Sequence, residues 1–238
     1  MHFVSNQPAI FHQNALILGD THFGIEEKFK RQGIFHSGLS MLLLEQIKKL
    51  LNSTKATKLI LLGDVKENIN YVDQISQKIL LELDSICDLS IVRGNHDGGI
   101  EKICKKVFPS SGCIYKNLSL IHGNAWPSEA LMQSDYLVAA HQHPILTFVD
   151  KLGKAHSNQA WAIYDLNYLE AKKYYKKINK NLKLISIPAF NPFVGYSINK
   201  REKTSHGPLF SNNIFDLQNG FAYSLQGQIL GKISDFLI

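Results

Sequence analysis

The sequence predicts an α/β fold, with a mainly parallel sheet in the first half of the chain. Short apolar runs that end in glycine and polar residues alternate with longer amphipathic stretches, which is the pattern of alternating strands and helices. The chain has 238 residues and 45% apolar content, enough to fill one core without forcing a second domain. It contains no internal repeat and no long proline, glycine or serine linker, so we expect a single domain over residues 1–238.

The first half is expected to supply strands that alternate with helices. Strands are predicted at the short apolar runs 15–19, 58–63, 89–93, 118–122 and 136–140. Between the first two, residues 39–51 place apolar side chains at i, i+3 and i+4 spacing, as expected for a helix that covers one face of a sheet. Strands that alternate with helices in this way form parallel sheets.

The segments after residue 143 differ from those of the first half. Further strands are expected at 145–149, 160–166, 184–187, 213–217 and 222–225. A single helix is expected from residue 168 to about residue 179, and it contains the basic run AKKYYKKINK. Because few helices separate these strands, we expect a second sheet with more antiparallel pairing.

The composition limits the partners and the cellular compartment. The chain carries 26 Lys and Arg against 20 Asp and Glu, a net charge of +6, which suits a polyanionic partner; a solvated basic surface is the alternative. The three cysteines show no CxxC spacing, so neither a disulfide framework nor a zinc knuckle is expected. No apolar run approaches the ~18 residues of a membrane span, and the N-terminus lacks a secretory signal pattern. We expect a cytoplasmic protein with no membrane partner.

Five polar clusters follow predicted strands. They read GDTH at 19–22, GD at 63–64, GNHD at 94–97, HG at 122–123 and AHQH at 140–143. The carboxyl ends of parallel strands converge on one crevice, so residues far apart in sequence meet there. Alternate residues of an extended segment point the same way, so the DxH and HxH pairs can each direct both side chains to one place. A lone His or GD is more often part of an ordinary turn, but five clusters in this order predict a common site.

The donor groups of these clusters indicate a transition-metal site. Imidazole, carboxylate and amide groups together suit Mn, Fe or Zn, whereas oxygen ligands dominate Mg and Ca sites. A two-metal centre needs one carboxylate that bridges ions about 3.5–4 Å apart. Asp64 is the lone carboxylate of its cluster, so we expect it to be the bridge.

The order of the clusters resembles that of the calcineurin-like metallophosphoesterases, whose motifs are DxH, GD, GNH(D/E), HG and GHxH. Longer segments, DTHFGIEEKFKRQGIF, VRGNHDGGIE, AHQHPIL and IPAFNPFVGYSIN, are similar to the archaeal SbcD/Mre-related phosphoesterases and to the DNA-ligase-associated endonuclease family PdeM. The resemblance runs from about residue 14 to residue 208. It implies a four-layer αββα sandwich of two mixed β-sheets flanked by helices.

The resemblance also implies two divalent transition-metal ions, with Mn²⁺ expected first and Fe, Zn or Ni as alternatives. One ion would be held by Asp20, His22, Asp64 and His143. The other would be held by Asp64, Asn95, His122 and His141. His96 would protonate the leaving group and Asp97 would hold its ring in position, although both could instead cap the following helix. Hydroxide activated by the ions would attack the phosphorus without a covalent intermediate.

Three positions depart from the family pattern. Ala140 replaces the usual glycine before the final histidine pair and removes no ligand. Asn124 stands where several relatives have a second histidine after HG. Glu67 occupies the place where nuclease relatives carry a histidine after GDxx, and the sequence leaves its role open.

Basic residues near the motifs are candidates for substrate contacts. Lys28, Lys30 and Arg31 follow the first motif, so we expect them on a loop over the crevice, in contact with phosphates that flank the scissile one; solvated loop charge is the alternative. Lys66 is expected near the site or in an ordinary surface ion pair. The basic helix 172–180 could bind a nucleic-acid backbone, or it could be an amphipathic helix with its lysines in water.

Three functions are consistent with these patterns. The first is a phosphodiesterase that cleaves DNA or RNA, which the resemblance and the basic charge favour. The second is a phosphatase or phosphodiesterase for a small nucleotide or metabolite, because the same metal site serves such substrates across the superfamily. The third is a non-catalytic interaction module, but such a module is expected to lose ligands and this chain keeps a competent side chain at all seven positions. The sequence identifies no protein partner.

Overall fold

Two large β-sheets organise the protein in a computed structural model that describes residues 1–199 and 207–236. The strands of the described part are β1 (His2–Phe3), β2 (Ile10–His12), β3 (Ala15–Leu18), β4 (Lys58–Leu61), β5 (Asp88–Val92), β6 (Val107–Phe108), β7 (Cys113–Tyr115), β8 (Leu118–Ile121), β9 (Tyr136–Ala139), β10 (Pro144–Val149), β11 (Ala155–Gln159), β12 (Trp161–Asp165), β13 (Lys183–Ser186), β14 (Tyr196–Ser197), β15 (Phe221–Tyr223) and β16 (Ile229–Lys232). The α-helices are α1 (Ile25–Arg31), α2 (Leu39–Thr54), α3 (Gln74–Ile86), α4 (Tyr168–Ala171) and α5 (Pro208–Ser211). Short 3₁₀ helices lie at Ile100–Lys102, Leu131–Gln133, Leu217–Asn219 and Ile233–Phe236.

The first sheet has the strand order β1-β2-β3-β4-β5-β6. Strands β3 to β6 pair in parallel, and β1 and β2 form an antiparallel edge. Helix α2 connects β3 to β4 and α3 connects β4 to β5, which are the long crossovers that parallel neighbours require. The prediction of a mainly parallel sheet in the first half is confirmed.

The second sheet has the strand order β16-β15-β12-β13-β9-β8-β7. Strands β8, β9 and β13 pair in parallel at its centre. The outer pairings, on both sides of this centre, are antiparallel. This sheet is therefore mixed and more antiparallel than the first, as predicted. It also contains β8 and β9, so the expectation that these two strands belong to the sheet of the first half is wrong. A small third sheet has the order β11-β10-β14.

Alternate side chains of each strand enter different apolar layers. Leu16 and Leu18 of β3 pack with Ile47 of α2 on the outer face of the first sheet. Ile17 points the other way and packs in a layer that also contains Val138 of the second sheet. Short helices and turns cover the outer face of the second sheet. The predicted four-layer α/β sandwich is confirmed, with its fourth layer built from short helical segments.

The prediction of a helix from residue 168 to about residue 179 is wrong, because α4 is only four residues long. The carboxylate of Glu129 accepts hydrogen bonds from the backbone N–H groups of Lys176 and Lys177, at 2.8 and 2.9 Å. A continued helix would need those N–H groups for its own carbonyls. The lysines of this run therefore lie in turns and do not occupy successive helical turns.

The strand predicted at 213–217 is also wrong. Phe215 forms only an isolated antiparallel bridge with Leu166. The side chain of Asp216 accepts a hydrogen bond from the N–H of Gln218 and so caps the 3₁₀ helix that follows. A capping residue at this position ends the extended backbone before a strand can form.

Helices α1 and α3 were not predicted from the sequence. Helix α3 begins after Asp73, whose side chain accepts a hydrogen bond from the N–H of Ser76, and it buries Ile79 and Leu83 against the first sheet. These signals are present in the sequence at the spacing of a helix. Of the helices that the structure describes, none combines the length and apolar content needed to cross a membrane.

Candidate metal centre

The structure brings the seven predicted metal ligands to one crevice at the ends of strands. Asp20 and His22 follow β3, Asp64 follows β4, Asn95 follows β5, His122 follows β8, and His141 and His143 follow β9. The two large sheets pack face to face, so their carboxyl-end loops meet. The convergence that the sequence predicts is present in the fold.

The backbone is strained at this crevice. Positive φ angles occur at Asp20 (56°), His22 (43°), Asp64 (47°), His141 (71°) and His143 (44°). Only a few per cent of non-glycine residues adopt such angles, and they cluster at functional sites where the surroundings hold them in place. Five of the seven predicted ligands carry this strain, which indicates that side-chain placement is maintained at a cost in backbone energy.

The first group of donor atoms comes from Asp20, His22, Asp64 and His143. Their ligand atoms all lie within 4.8 Å of one another, and all four residues are buried. His143 Nε2 is 3.1 Å from Asp20 Oδ1, and His22 Nε2 is 3.9 Å from Asp64 Oδ2. These distances leave room for one cation among the four side chains.

The second group comes from Asp64, His122 and His141, which also lie within 4.8 Å of one another. His122 Nε2 is 3.4 Å from Asp64 Oδ2 and 3.1 Å from His141 Nδ1. Asn95 Oδ1 lies 3.2 Å from the same His122 nitrogen, so the amide belongs to this group. Asp64 is common to both groups.

An unpaired buried nitrogen tests whether these residues fit a metal ion. His22 Nε2 is buried and has no hydrogen-bond partner among the described residues. A buried polar atom without a partner is costly, and a bound cation is one way to satisfy it. The imidazole, carboxylate and amide donors around it suit a divalent transition metal. The donor set therefore fits the metal ions that the sequence predicts.

Burial and neighbouring charges shift the pKa values of the central groups in the metal-free protein. Burial would raise the pKa of Asp64, but contact with His122 and its charge hold the pKa of this carboxyl well below its usual range. Burial would lower the pKa of His122, but Asp64 outweighs it and raises the pKa of that imidazole to about 9. Burial and the charge of His122 lower the pKa of His141 to about 4. Asp64 is thus available as an anionic ligand.

Glu67 connects the centre to helix α1. Its Oε2 lies 2.8 Å from His22 Nδ1, and its Oε1 lies 2.9 Å from the Lys28 ammonium. Burial would raise the pKa of Glu67, but these two partners lower it to about 2. A carboxylate on the outer nitrogen of a metal-binding histidine fixes the tautomer and the ring orientation. Sequence analysis missed this role because the partners lie 39 and 45 residues away along the chain.

Lys66 is fully buried and does not form the surface ion pair that was one of its expected roles. Its ammonium donates to the carbonyl oxygens of Asn68, Ile69 and His96. Burial lowers the pKa of Lys66, although nearby carboxylates, Asp97 first among them, oppose this. The side chain therefore ties the loop after β4 to the loop that carries His96.

The expected contact between Asp97 and the ring of His96 is not formed, so that prediction is wrong. Asp97 accepts from the backbone N–H groups of Val65 and Gly94, both at 2.8 Å. His96 Nδ1 instead lies 2.7 Å from the carbonyl oxygen of Glu67. The side chain of Asp97 also does not cap the following 3₁₀ helix, whose N-cap is Gly99. Asp97 joins two backbone loops beneath the crevice.

The basic residues after the first motif lie on helix α1, not on a loop. Lys28 and Arg31, three residues apart, line a cavity next to His96. Lys30 lies on another side of the helix, near Phe35. The structure therefore separates the three candidates, and only two of them are close to the crevice.

The sequence matches a known protein family, and the fold is similar to that of a solved structure. The sequence profile of the family described as calcineurin-like phosphoesterase matches residues 14–219. Among solved structures, the nuclease MPE of Pseudomonas putida superposes with a TM-score of 0.55 and 18% identity, over 92% of this chain and 89% of that chain. The phosphoesterase Yfce of E. coli superposes with a TM-score of 0.44 and 14% identity, over 92% of this chain and 97% of that chain. No curated protein matches the sequence.

The profile match covers most of the chain and includes every predicted ligand, from Asp20 to His143. The mixed sheets and the shared fold with the Pseudomonas putida structure are consistent with that match. The buried Asp and His groups supply the metal-binding potential that a metal-dependent family requires. The chain therefore belongs to the calcineurin-like phosphoesterase family and is a hydrolase that acts on phosphate esters.

Proposed function

We propose that this chain hydrolyses phosphodiester bonds at a centre of two divalent transition-metal ions that share Asp64. The observation that carries the proposal is the position of Asp64 Oδ2, which lies 3.9 Å from His22 Nε2 and 3.4 Å from His122 Nε2. A carboxylate shared by two ligand groups is the arrangement that a two-metal centre needs.

The proposed ligands follow the two groups of donor atoms. The first ion takes Asp20, His22, Asp64 and His143. The second takes Asp64, Asn95, His122 and His141. These donors suit a divalent transition metal. The family resemblance puts Mn²⁺ first, with Fe, Zn and Ni as alternatives. When bound, two such ions activate a water molecule for attack on phosphorus and neutralise charge on the phosphate oxygens.

His96 is the proposed proton donor to the leaving group. Its Nδ1 faces the carbonyl oxygen of Glu67, which can only accept, so Nδ1 carries a hydrogen. In the doubly protonated ring the second hydrogen is on Nε2, and it is this proton that can pass to the departing alkoxide. The backbone N–H of His96 donates to Asp64 Oδ1 at 2.8 Å, which holds the residue beside the proposed bridging carboxylate. The Lys66 ammonium donates a hydrogen bond to the carbonyl oxygen of His96.

Among phosphodiesters, we place nucleic acid first and an ester of a small nucleotide or metabolite second. The net charge of +6 supports a polyanionic substrate. The Pseudomonas putida protein with the same fold is a nuclease, although a shared fold does not by itself select a substrate. The small-nucleotide alternative is supported by the cavity beside His96, whose volume of about 460 Å³ is within the range of small-molecule sites.

Metal reconstitution tests the proposed function. Protein stripped with a chelator and refilled with Mn²⁺ is expected to bind two equivalents and to cleave bis(p-nitrophenyl) phosphate faster than p-nitrophenyl phosphate. Binding of one equivalent, or a preference for the monoester, would contradict the proposal. Cleavage of a single-stranded oligonucleotide ahead of a cyclic nucleotide would support nucleic acid as the substrate class, and the reverse order would support the small nucleotide.

Replacing Glu67 tests how the first metal group is supported. We expect E67A to lower Mn²⁺ affinity by about 10- to 100-fold, because the ring of His22 loses the carboxylate that orients it. E67Q is expected to retain most of the affinity, since its amide oxygen can still accept from His22 Nδ1–H. Isothermal titration with Mn²⁺ measures the effect.

The matched control for this prediction is E170A. Glu170 is also paired with a lysine, Lys173, but it lies on the surface helix α4. Its removal is expected to leave Mn²⁺ affinity unchanged. Equal affinity of E67A and wild type would show that Glu67 does not support the metal group.

A further inference from the structure

A cavity of about 460 Å³ lies beside the candidate metal centre, between helix α1 and the loop after β4. Its wall includes Glu67, which contacts the proposed ligand His22, and His96, the proposed proton donor. Lys28 and Arg31 of α1 also line the cavity. The cavity therefore borders the proposed proton donor.

The charges in the wall do not suit a second phosphate. The charged residues of the lining are Glu27, Lys28, Arg31, Glu67 and Asp73. Lys28 is paired with Glu67 at 2.9 Å, and Arg31 faces Glu27 at 4.0 Å. Asp73 adds a carboxylate that is already hydrogen-bonded to Ser76. With three carboxylates against two cations, the wall has no excess positive charge, and an uncharged polar group fits it better than another anion.

The remaining wall offers flat apolar contacts and amide groups. Ile69 and Tyr71 line the cavity and are half-exposed, at 54% and 50%. Asn68 and Asn70 stand beside them; Asn68 Oδ1 accepts from the N–H of Asn70, so the Asn68 amide nitrogen stays available as a donor. A nucleobase has a flat face that stacks on aromatic rings and polar edges that bind amides.

We propose that this cavity binds the nucleoside of the leaving group, with its base stacked on Tyr71. This inference rests on the proposed function, since it takes His96 as the group that protonates the leaving oxygen. The moiety attached to that oxygen must lie next to His96, and the cavity is the space that the structure provides there. The site selects for a base and a sugar next to the scissile bond, and not for further phosphates.

Dinucleotide substrates test the proposal. The Mn²⁺-loaded protein is assayed with thymidylyl-thymidine and with two analogues, each lacking one of the two bases; product analysis identifies which nucleoside leaves. We expect kcat/KM to fall on the order of 10-fold when the leaving nucleoside lacks its base. Y71A is expected to lower kcat/KM by the same factor on the intact dinucleotide. On the analogue without the leaving base, Y71A should lower kcat/KM no further, because both changes remove the same stacking contact.

Two control variants separate stacking from general damage. Y71F keeps the aromatic face and is expected to behave as wild type. Y136A removes a partly exposed tyrosine at the start of β9, the end of the strand opposite to His141, and is also expected to behave as wild type. Metal content is measured in all variants and is expected to be unchanged.

The outcomes distinguish this proposal from the proposed function. Two results would show that the nucleoside site is wrong while the phosphodiesterase activity stands. One is cleavage of bis(p-nitrophenyl) phosphate without cleavage of the dinucleotide. The other is equal cleavage of the intact dinucleotide and of the analogue that lacks the leaving base. Unchanged kcat/KM in Y71A would also overturn the site. Failure to cleave any diester would instead remove the proposed function, and the nucleoside site with it.

Discussion

Replacing Asp64 with asparagine is expected to lower metal content and turnover together. Asp64 Oδ2 faces both ligand groups, and an amide has only one strong acceptor oxygen and no charge, so it cannot bridge two cations equally well. The loss of turnover should exceed the roughly 10- to 100-fold cost of removing a supporting residue around a metal. Metal content by mass spectrometry after gel filtration, together with kcat on bis(p-nitrophenyl) phosphate, measures both effects.

D88N is the matched control for D64N. Asp88 is also a paired carboxylate, held by Lys58 and Lys106, but it begins β5 and lies at the opposite end of that strand from Asn95. D88N is expected to retain metal and activity. If D64N keeps two tightly bound metals and full turnover, Asp64 is not the bridge.

Replacing His96 with alanine is expected to reduce turnover by about 10²- to 10⁴-fold while metal content stays near that of wild type. His96 contacts Asp64 and Lys66 through its backbone, so the alanine variant keeps those contacts and removes only the ring. A good leaving group needs little protonation, so the deficit should be smaller for bis(p-nitrophenyl) phosphate than for a dinucleotide. Comparing kcat on the two substrates measures this difference.

The control for H96A is H156A. His156 is an exposed histidine paired with Asp150 in the β10–β11 hairpin, away from the predicted ligands. H156A is expected to leave both rates unchanged. Equal deficits of H96A on activated and unactivated diesters would argue that His96 acts in some way other than as the acid.

Local pattern was sufficient to predict β3, β4, β5, β8 and β9 and the polar clusters that follow them. The run 15–19 contains β3, and the run 58–63 contains β4, because a short continuous apolar run is typical of a strand that is buried on both faces. Glycine and polar residues mark where each strand ends. Within each sheet, parallel strands deliver their carboxyl ends to one edge. The clusters lie on two sheets, and they share one crevice because the sheets pack face to face.

Segments whose conformation depends on distant partners were predicted less well. The basic run after Tyr168 has helical composition, but the carboxylate of Glu129 takes the N–H groups of Lys176 and Lys177. Glu129 lies 47 residues before Lys176 in the sequence, so the residues around the basic run do not reveal this contact. Tertiary hydrogen bonds of this kind override helix propensity.

The sequence by itself determined the α/β class and the polar clusters at the strand ends, because apolar runs and strand ends are local properties of the chain. The choice of ligands within those clusters came from the resemblance to the metallophosphoesterases. Only the tertiary structure decided what the side chains around that set do. Glu67 reaches His22 and Lys28, and Lys66 is buried against three carbonyl groups. Asp97 bonds to backbone and not to the ring of His96. These contacts form between loops that are far apart in the sequence. The direction of each side chain there depends on how the loops pack, and sequence spacing does not specify it.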